Sequence, residues 1–446
     1  MILPPRIFLP TLTHQFAFFQ PGAILAGMKS RHRYSLVSLL LPAMLMSSGC
    51  ADSYEWNGSL EDFLRSQPHR FADVMRSPET YRLQLIYTQI DRDPGNRPTF
   101  TSFRYRVKAN EYFYPASTVK LPTALLALEK INKLNIDGLT RDTTMITGVA
   151  DDSQSPVITD STSPTGLPTI GHYIRKILLV SDNDAFNRLY EFLGQKPLNE
   201  ALQSKTYTDT RIMHRLELAL SIEANQKTNP VVFIDGDQVI LEQSAQVSDI
   251  AYVNEAPILL GKAEIISGEL HEGPKDFAEK NAYSLQDMHD VILALIFPDA
   301  VAEGRRFSLT EDDYQFVYRN MSAYPSESGI DEYSGTAEYP DGYVKFLMFG
   351  GNEERIPPQI RIFNKVGDAY GFLSDAAYII DTENGVEFIL AATIYTNANH
   401  TFNDNLYEYD EIGLPFLREL GQAVYELELA REKTTLPDFS RFSFLE

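Results

Sequence analysis

The spacing of hydrophobic and polar positions changes character several times along the chain. Residues 60–75 place their apolar side chains as an amphipathic helix does. Residues 81–90 and 100–107 are β-rich runs joined through Asp93-Pro94-Gly95-Asn96, a turn cluster, and predict a hairpin. From 117 to about 134, Val119, Leu121, Leu125, Leu128 and Ile131 recur at helical spacing, and 171–194 repeats that pattern through Ile174, Ile177, Leu178, Phe186 and Leu189. Near the end, 359–364, 376–381 and 387–395 are β-rich again, and a helix is predicted from about 415 to 431.

The order is therefore β, a long helical block, then β with a terminal helix. Strands from the two ends can share one sheet, which predicts an α/β (α+β) two-lobed fold. The sheet lobe, antiparallel, is built from about 60–115 and 345–431, and the inserted helical lobe from about 116–344, with a cleft between them. Residues 230–280 read as an insertion: strands at 231–234 and 239–241 flank the favoured turn pair Asp235-Gly236, and irregular acidic sequence follows.

Composition narrows the partners. A chain of 446 residues that is 43% hydrophobic and 22% charged has the make-up of a folded globular protein, in one large or two modest domains. Lys+Arg 39 against Asp+Glu 61 gives a formal charge of −22, which repels phosphate backbones, so no nucleic-acid partner is expected. The single cysteine, Cys50, makes no internal disulfide and no Cys-rich zinc site. None of the eight histidines stands in an H-E-x-x-H pair; His172 and His289 fit polar positions at the edge of a core, and no metal or cofactor is expected.

The first 49 residues invert the charge balance, carrying Arg6, Lys29, Arg31 and Arg33 but no Asp or Glu. From Met28, the basic stretch Lys-Ser-Arg-His-Arg precedes an apolar run over 34–46, then Ser47-Ser48-Gly49-Cys50. The run is shorter than the roughly 18 residues a membrane span needs, and it contains Pro42. It resembles a bacterial lipoprotein signal peptide, with Ser47 where that family usually has Leu. The resemblance implies export and lipidation of Cys50, leaving the protein anchored by its N-terminus alone at the periplasmic face of the cell envelope. Ala51 after the cysteine points, by the sorting habit of Gram-negative lipoproteins, to the outer membrane. The alternative is an ordinary cleaved signal that leaves a free thiol. The signal is complete without residues 1–27, which read as an upstream extension.

Three short motifs carry chemistry. Ser117-Thr118-Val119-Lys120 opens a predicted helix, so the hydroxyl and the amine share one face about a turn apart. A serine needs a base, and a lysine serves only if burial or nearby positive charge lowers its affinity for the proton. Ser181-Asp182-Asn183 interrupts a core-facing stretch with three polar residues, as an active-site edge or a helix cap does. Lys365-Val366-Gly367 ends a strand with a glycine that lets another backbone lie close.

S-x-x-K, S-x-N and K-x-G each occur once, in that order. The set resembles the serine β-lactamase and penicillin-binding-protein family, in which these motifs converge on one acylation site, and the spacing looks most like the class A β-lactamases. The resemblance implies a nucleophile at Ser117 with Lys120 as its basic neighbour. It makes Ser181 the relay of a proton to the leaving nitrogen and Asn183 the holder of the substrate's amide side chain. Lys365 would supply positive charge, and the oxyanion hole would use the N–H of Ser117 and one from the strand after Gly367, at Ala369 or its neighbour. Two positions depart from the family: Val366 lacks the usual hydroxyl, and the deacylating pattern Glu-x-x-Leu-Asn is matched only by Glu217 and Leu220, with Ser221 last and Glu223 as a rival. The expectation is a monomeric serine hydrolase acting through an acyl-enzyme on a small-molecule or peptidoglycan-derived substrate, in the manner of a β-lactamase. A D-Ala-D-Ala peptidase or cell-wall amidase, and a catalytically silent binding protein of the same fold, are the alternatives.

Overall fold

The structure is a computed structural model that describes residues 58–254 and 257–445. The leader and Cys50 lie outside the described residues. The first helical stretch is two helices, α1 (Leu60–Arg65) and α2 (Pro68–Met75), because Pro68 begins a second helix at its first turn. The hairpin follows as β1 (Gln84–Arg92) and β2 (Pro98–Tyr105). A 3-10 turn at Ala116–Val119 leads into α3 (Lys120–Leu134), and the next helical stretch divides into α4 (Ile170–Val180) and α5 (Asn183–Leu193). After α6 (Leu285–Ile296) and α7 (Glu311–Ser322) come β3 (Ile360–Ala369), β4 (Phe372–Asp381), β5 (Val386–Tyr395) and α8 (Leu414–Ala430).

The five strands form one sheet in the order β3-β4-β5-β1-β2, every pair antiparallel, so strands from both ends of the sequence do meet. The sheet is covered on both faces. Ile86, Ile389, Ala391, Tyr378 and Ile380 share one core with α3 to α7. Leu85, Tyr87, Ile362, Leu390 and Ile394 share another with α1, α2 and the Phe416, Leu420 and Val424 stripe of α8. Burial on both faces explains why β4 and β5 read as continuous apolar runs rather than alternating ones. Helices α6 and α7 lie directly on the sheet, α6 against β1, β4 and β5 and α7 against β3. In the 230–280 region the predicted hairpin is present as Val231–Asp235 and Gln238–Gln243, with Thr144–Thr147 added as a third strand. The acidic sequence after it folds into short strands at Ala263–Ile266 and Glu269–Glu272 and a two-residue pairing of Leu259–Leu260 with Lys275–Asp276.

Candidate active site

Ser117 sits in the 3-10 turn that opens α3. Lys120, three residues on, is the first residue of α3, so the two side chains leave the chain on the same side of the turn. The turn is entered through Ala116, whose φ of 46° is costly for a residue with a Cβ and is held by the surrounding packing. Ser117 stays half-exposed while Lys120 is fully buried.

The serine motif is placed by two helix ends. Ser181 caps the C-terminus of α4 in the left-handed conformation (φ 59°), and Asp182 caps the N-terminus of α5 by accepting the N–H of Ala185 at 2.7 Å. The capping and the chemical readings of this motif therefore hold side by side on different residues. Asp182 closes the helix and ion-pairs with Lys176 at 3.4 Å, while Ser181 and Asn183 face the lysines. Lys120 Nζ donates to the carbonyl of Ser181, to Asn183 Oδ1 at 2.5 Å and to Ser181 Oγ at 3.3 Å.

Strand β3 supplies the third motif. Lys365 Nζ donates to Ser181 Oγ at 2.8 Å and to the carbonyl of Val366 at 2.9 Å. Gly367 is required by proximity: a Cβ there would lie 2.5 Å from Pro115 O, 2.8 Å from Ser117 N and 2.9 Å from Thr118 N. The strand thus runs hard against the backbone of the Ser117 turn. The loop between β3 and β4 is the two-residue turn Tyr370-Gly371, both at positive φ. Such a turn makes Ala369 and Phe372 a hydrogen-bonded pair and turns the N–H of the next residue, Asp368, away from β4 toward the site. Of the expected oxyanion donors after Gly367, Asp368 is the one whose N–H faces outward; that of Ala369 is directed at Phe372.

Burial sets the charges. It pushes the Lys120 amine well below its ordinary value, and the nearby Lys365 adds to that, against the pull of Asp182, Asp368 and Glu217. Lys365 is lowered to about 7 for the same first reason. Behind β3 a third buried lysine, Lys345, also lowered to about 7, donates to Met321 O at 2.7 Å, Ile362 O at 3.0 Å and Asn364 Oδ1 at 2.8 Å. Asn364 in turn donates to Asp375 at 2.9 Å, a buried carboxyl raised to about 6. This network ties β3 to β4 and α7, and sequence reasoning missed it. A lysine in the apolar run 343–349 and an aspartate inside an otherwise core strand were the available signals.

Glu217 is exposed at a φ of 59°, and among the described residues its carboxylate makes no hydrogen bond. Ser221 caps the short helix Ile222–Gln226 through Ala224 N, and Glu223 lies in that helix's first turn, exposed. His289 bonds Thr88 at 2.7 Å and Asp290 at 2.9 Å, and His172 bonds Thr162 at 2.8 Å.

A cleft of about 920 Å³ runs from Ser181, Val366 and Asp368 past Tyr343 and Tyr409 to Arg418. A separate hollow of about 770 Å³, lined by Arg92, Phe297 and Arg441 among others, contains none of the motif residues.

Three comparisons bear on this arrangement. No curated relative matches the chain in sequence. Among solved structures the chain is similar to a β-lactamase from Sphaerobacter thermophilus DSM 20745 (14% identity, TM-score 0.44, 82% of this chain and 97% of that one). It is similar also to PBP-A (16%, 0.47, 83% and 97%) and to a β-lactamase from Xanthomonas campestris pv. campestris str. ATCC 33913 (17%, 0.43, 83% and 98%). The family model described as "Beta-lactamase enzyme family" matches residues 96–427, a span that holds all three motifs and four of the five strands, β1 lying before it. With that match across most of its length, the chain belongs to the beta-lactamase enzyme family, and its domain is of the serine-hydrolase type.

Proposed function

We propose that this protein is an exported, lipid-anchored serine hydrolase that opens a lactam or amide through an acyl-enzyme on Ser117. The observation that carries the reading is Ser181 Oγ, held 2.8 Å from Lys365 Nζ and 3.3 Å from Lys120 Nζ, beside the turn that presents Ser117. Lys120, made a poor ammonium by burial, takes the Ser117 proton as the hydroxyl oxygen bonds to the carbonyl carbon. The oxyanion that forms accepts from the N–H groups of Ser117 and Asp368. Collapse breaks the C–N bond, and the leaving nitrogen takes a proton relayed through Ser181 from the lysine side. Asn183 holds the substrate's amide, and Lys365 keeps Ser181 oriented. Water then cleaves the ester and restores the serine.

A second reading, a D-Ala-D-Ala peptidase or cell-wall amidase, is favoured by Glu217, whose exposed carboxylate makes no hydrogen bond among the described residues that would hold it on such a water. A fluorescent penicillin separates the two. Rapid release of opened product supports lactam hydrolysis, and a lasting adduct supports the peptidase. If labelling persists in Ser117→Ala, the acyl-enzyme at that residue is wrong.

A further inference from the structure

The cleft that Ser181, Val366 and Asp368 line has a charge pattern that neither the family match nor the motifs account for. On the face of β3 and β4 that looks into it, register places Val366 opposite Asp375 and Asp368 opposite Leu373. Neither pair adds a cation or a hydroxyl, and the cations that act on Asp368, Lys365 and Lys120, are buried and bonded to Ser181. Along the rest of the cleft the charged lining residues are Glu338, Glu353, Asp368 and Asp410 against Arg418 alone, and Arg418 donates to Gly350 O at 2.8 Å. Tyr343, Tyr407 and Tyr409 add ring faces, which attract organic cations.

Resting on the serine-hydrolase reading, we infer that Asp368 is a specificity-determining residue that selects substrates carrying an ammonium group, and rejects those carrying a carboxylate, in the cleft next to the scissile bond. Its side chain lines the cleft and, among the described residues, makes no hydrogen bond or close ion pair; desolvation holds its carboxyl above the ordinary value, against the pull of Lys365 and Lys120. Its backbone N–H is the outward one at the site, so a substrate held there lies within reach of the carboxylate as well. Val366 acts in the same direction by withholding the hydroxyl that a carboxylate would need.

The test uses one bicyclic β-lactam in three forms: the free carboxylate, its 3,3-dimethylbutyl ester and its choline ester, the two esters differing in little but charge. Acylation rates are read by intact-protein mass spectrometry on the wild type and on Asp368→Asn, at about pH 8, where carboxylates are ionised. An exposed charge pair is worth up to a factor of about five, so the choline ester should react about fivefold faster than the neutral ester and the free acid slower than both. Asp368→Asn should bring the ratio of the two esters near one. A wild type that takes the free acid fastest, or an ester ratio that survives in Asp368→Asn, overturns the inference while leaving the hydrolase reading standing. Uptake of none of the three refutes the lactam-opening reading and this inference with it. The wild-type order alone decides the matter should the variant fail to fold.

Discussion

Replacing Gly367 by alanine tests the contact on which the site's geometry depends. The added methyl would sit 2.5 Å from Pro115 O, with Ser117 N and Thr118 N at 2.8 and 2.9 Å, and all three are backbone atoms that no rotamer change can move. Ordinary contact begins near 3.4 Å, so β3 and the Ser117 turn must separate by roughly 1 Å, and a misplacement of that size can cost about 10² in rate. Overpacking a close contact also costs about 1–3 kcal/mol of stability, so unfolding must be followed in parallel. The assay is the acylation rate of Ser117 by an activated ester, alongside a urea midpoint. Gly304→Ala is the control, because nothing lies within 4 Å of the position its Cβ would take. If Gly367→Ala acylates within twofold of wild type, the close approach of strand and turn is not what sets the site.

The other predictions follow from the same residues. Lys120→Met should slow acylation by about 10² or more if the amine is the general base, and an unchanged rate would remove it from that role. Glu217→Gln should leave the lifetime of the acyl-enzyme nearly unaltered, since the carboxylate is exposed and unbonded; a long-lived adduct appearing only in the variant would restore Glu217 as the deacylating base. Stability should rise as pH increases from about 7 to about 9, because Lys365 and Lys345, lowered to about 7 when folded, are proton acceptors mainly in the unfolded chain over that window. Below it, Asp375, raised to about 6, acts in the opposite sense, with stability falling as pH rises through its titration. A urea midpoint that falls between pH 7 and 9 would contradict the burial argument.

What the sequence made legible depended on how much of each signal was local. The three motifs announce themselves, and both faces of the sheet are readable from long apolar runs such as 386–395. The division of 171–194 at Ser181 showed only as three polar residues that could cap a helix; no glycine or proline stands there to announce the left-handed conformation of Ser181, which Lys120 and Lys365 contact. Strand Glu269–Glu272 is exposed throughout, so it has no buried face to leave a period in the sequence. The identity of the outward N–H in β3 depends on the length of the Tyr370-Gly371 turn. Gly371 suggests a turn, but Tyr370 at a φ of 55° gives no such warning. The Lys345, Asn364 and Asp375 network joins residues whose partnership exists only once β3 and β4 pair.

The central claim is that Ser117 carries an activated hydroxyl, and a fluorophosphonate probe addresses it without assuming any natural substrate. Peptide mapping after brief exposure should find the phosphonyl group on Ser117, absent in Ser117→Ala and formed far more slowly in Lys120→Met. A protein that stays unlabelled, or that is labelled elsewhere with Ser117 untouched, would contradict it.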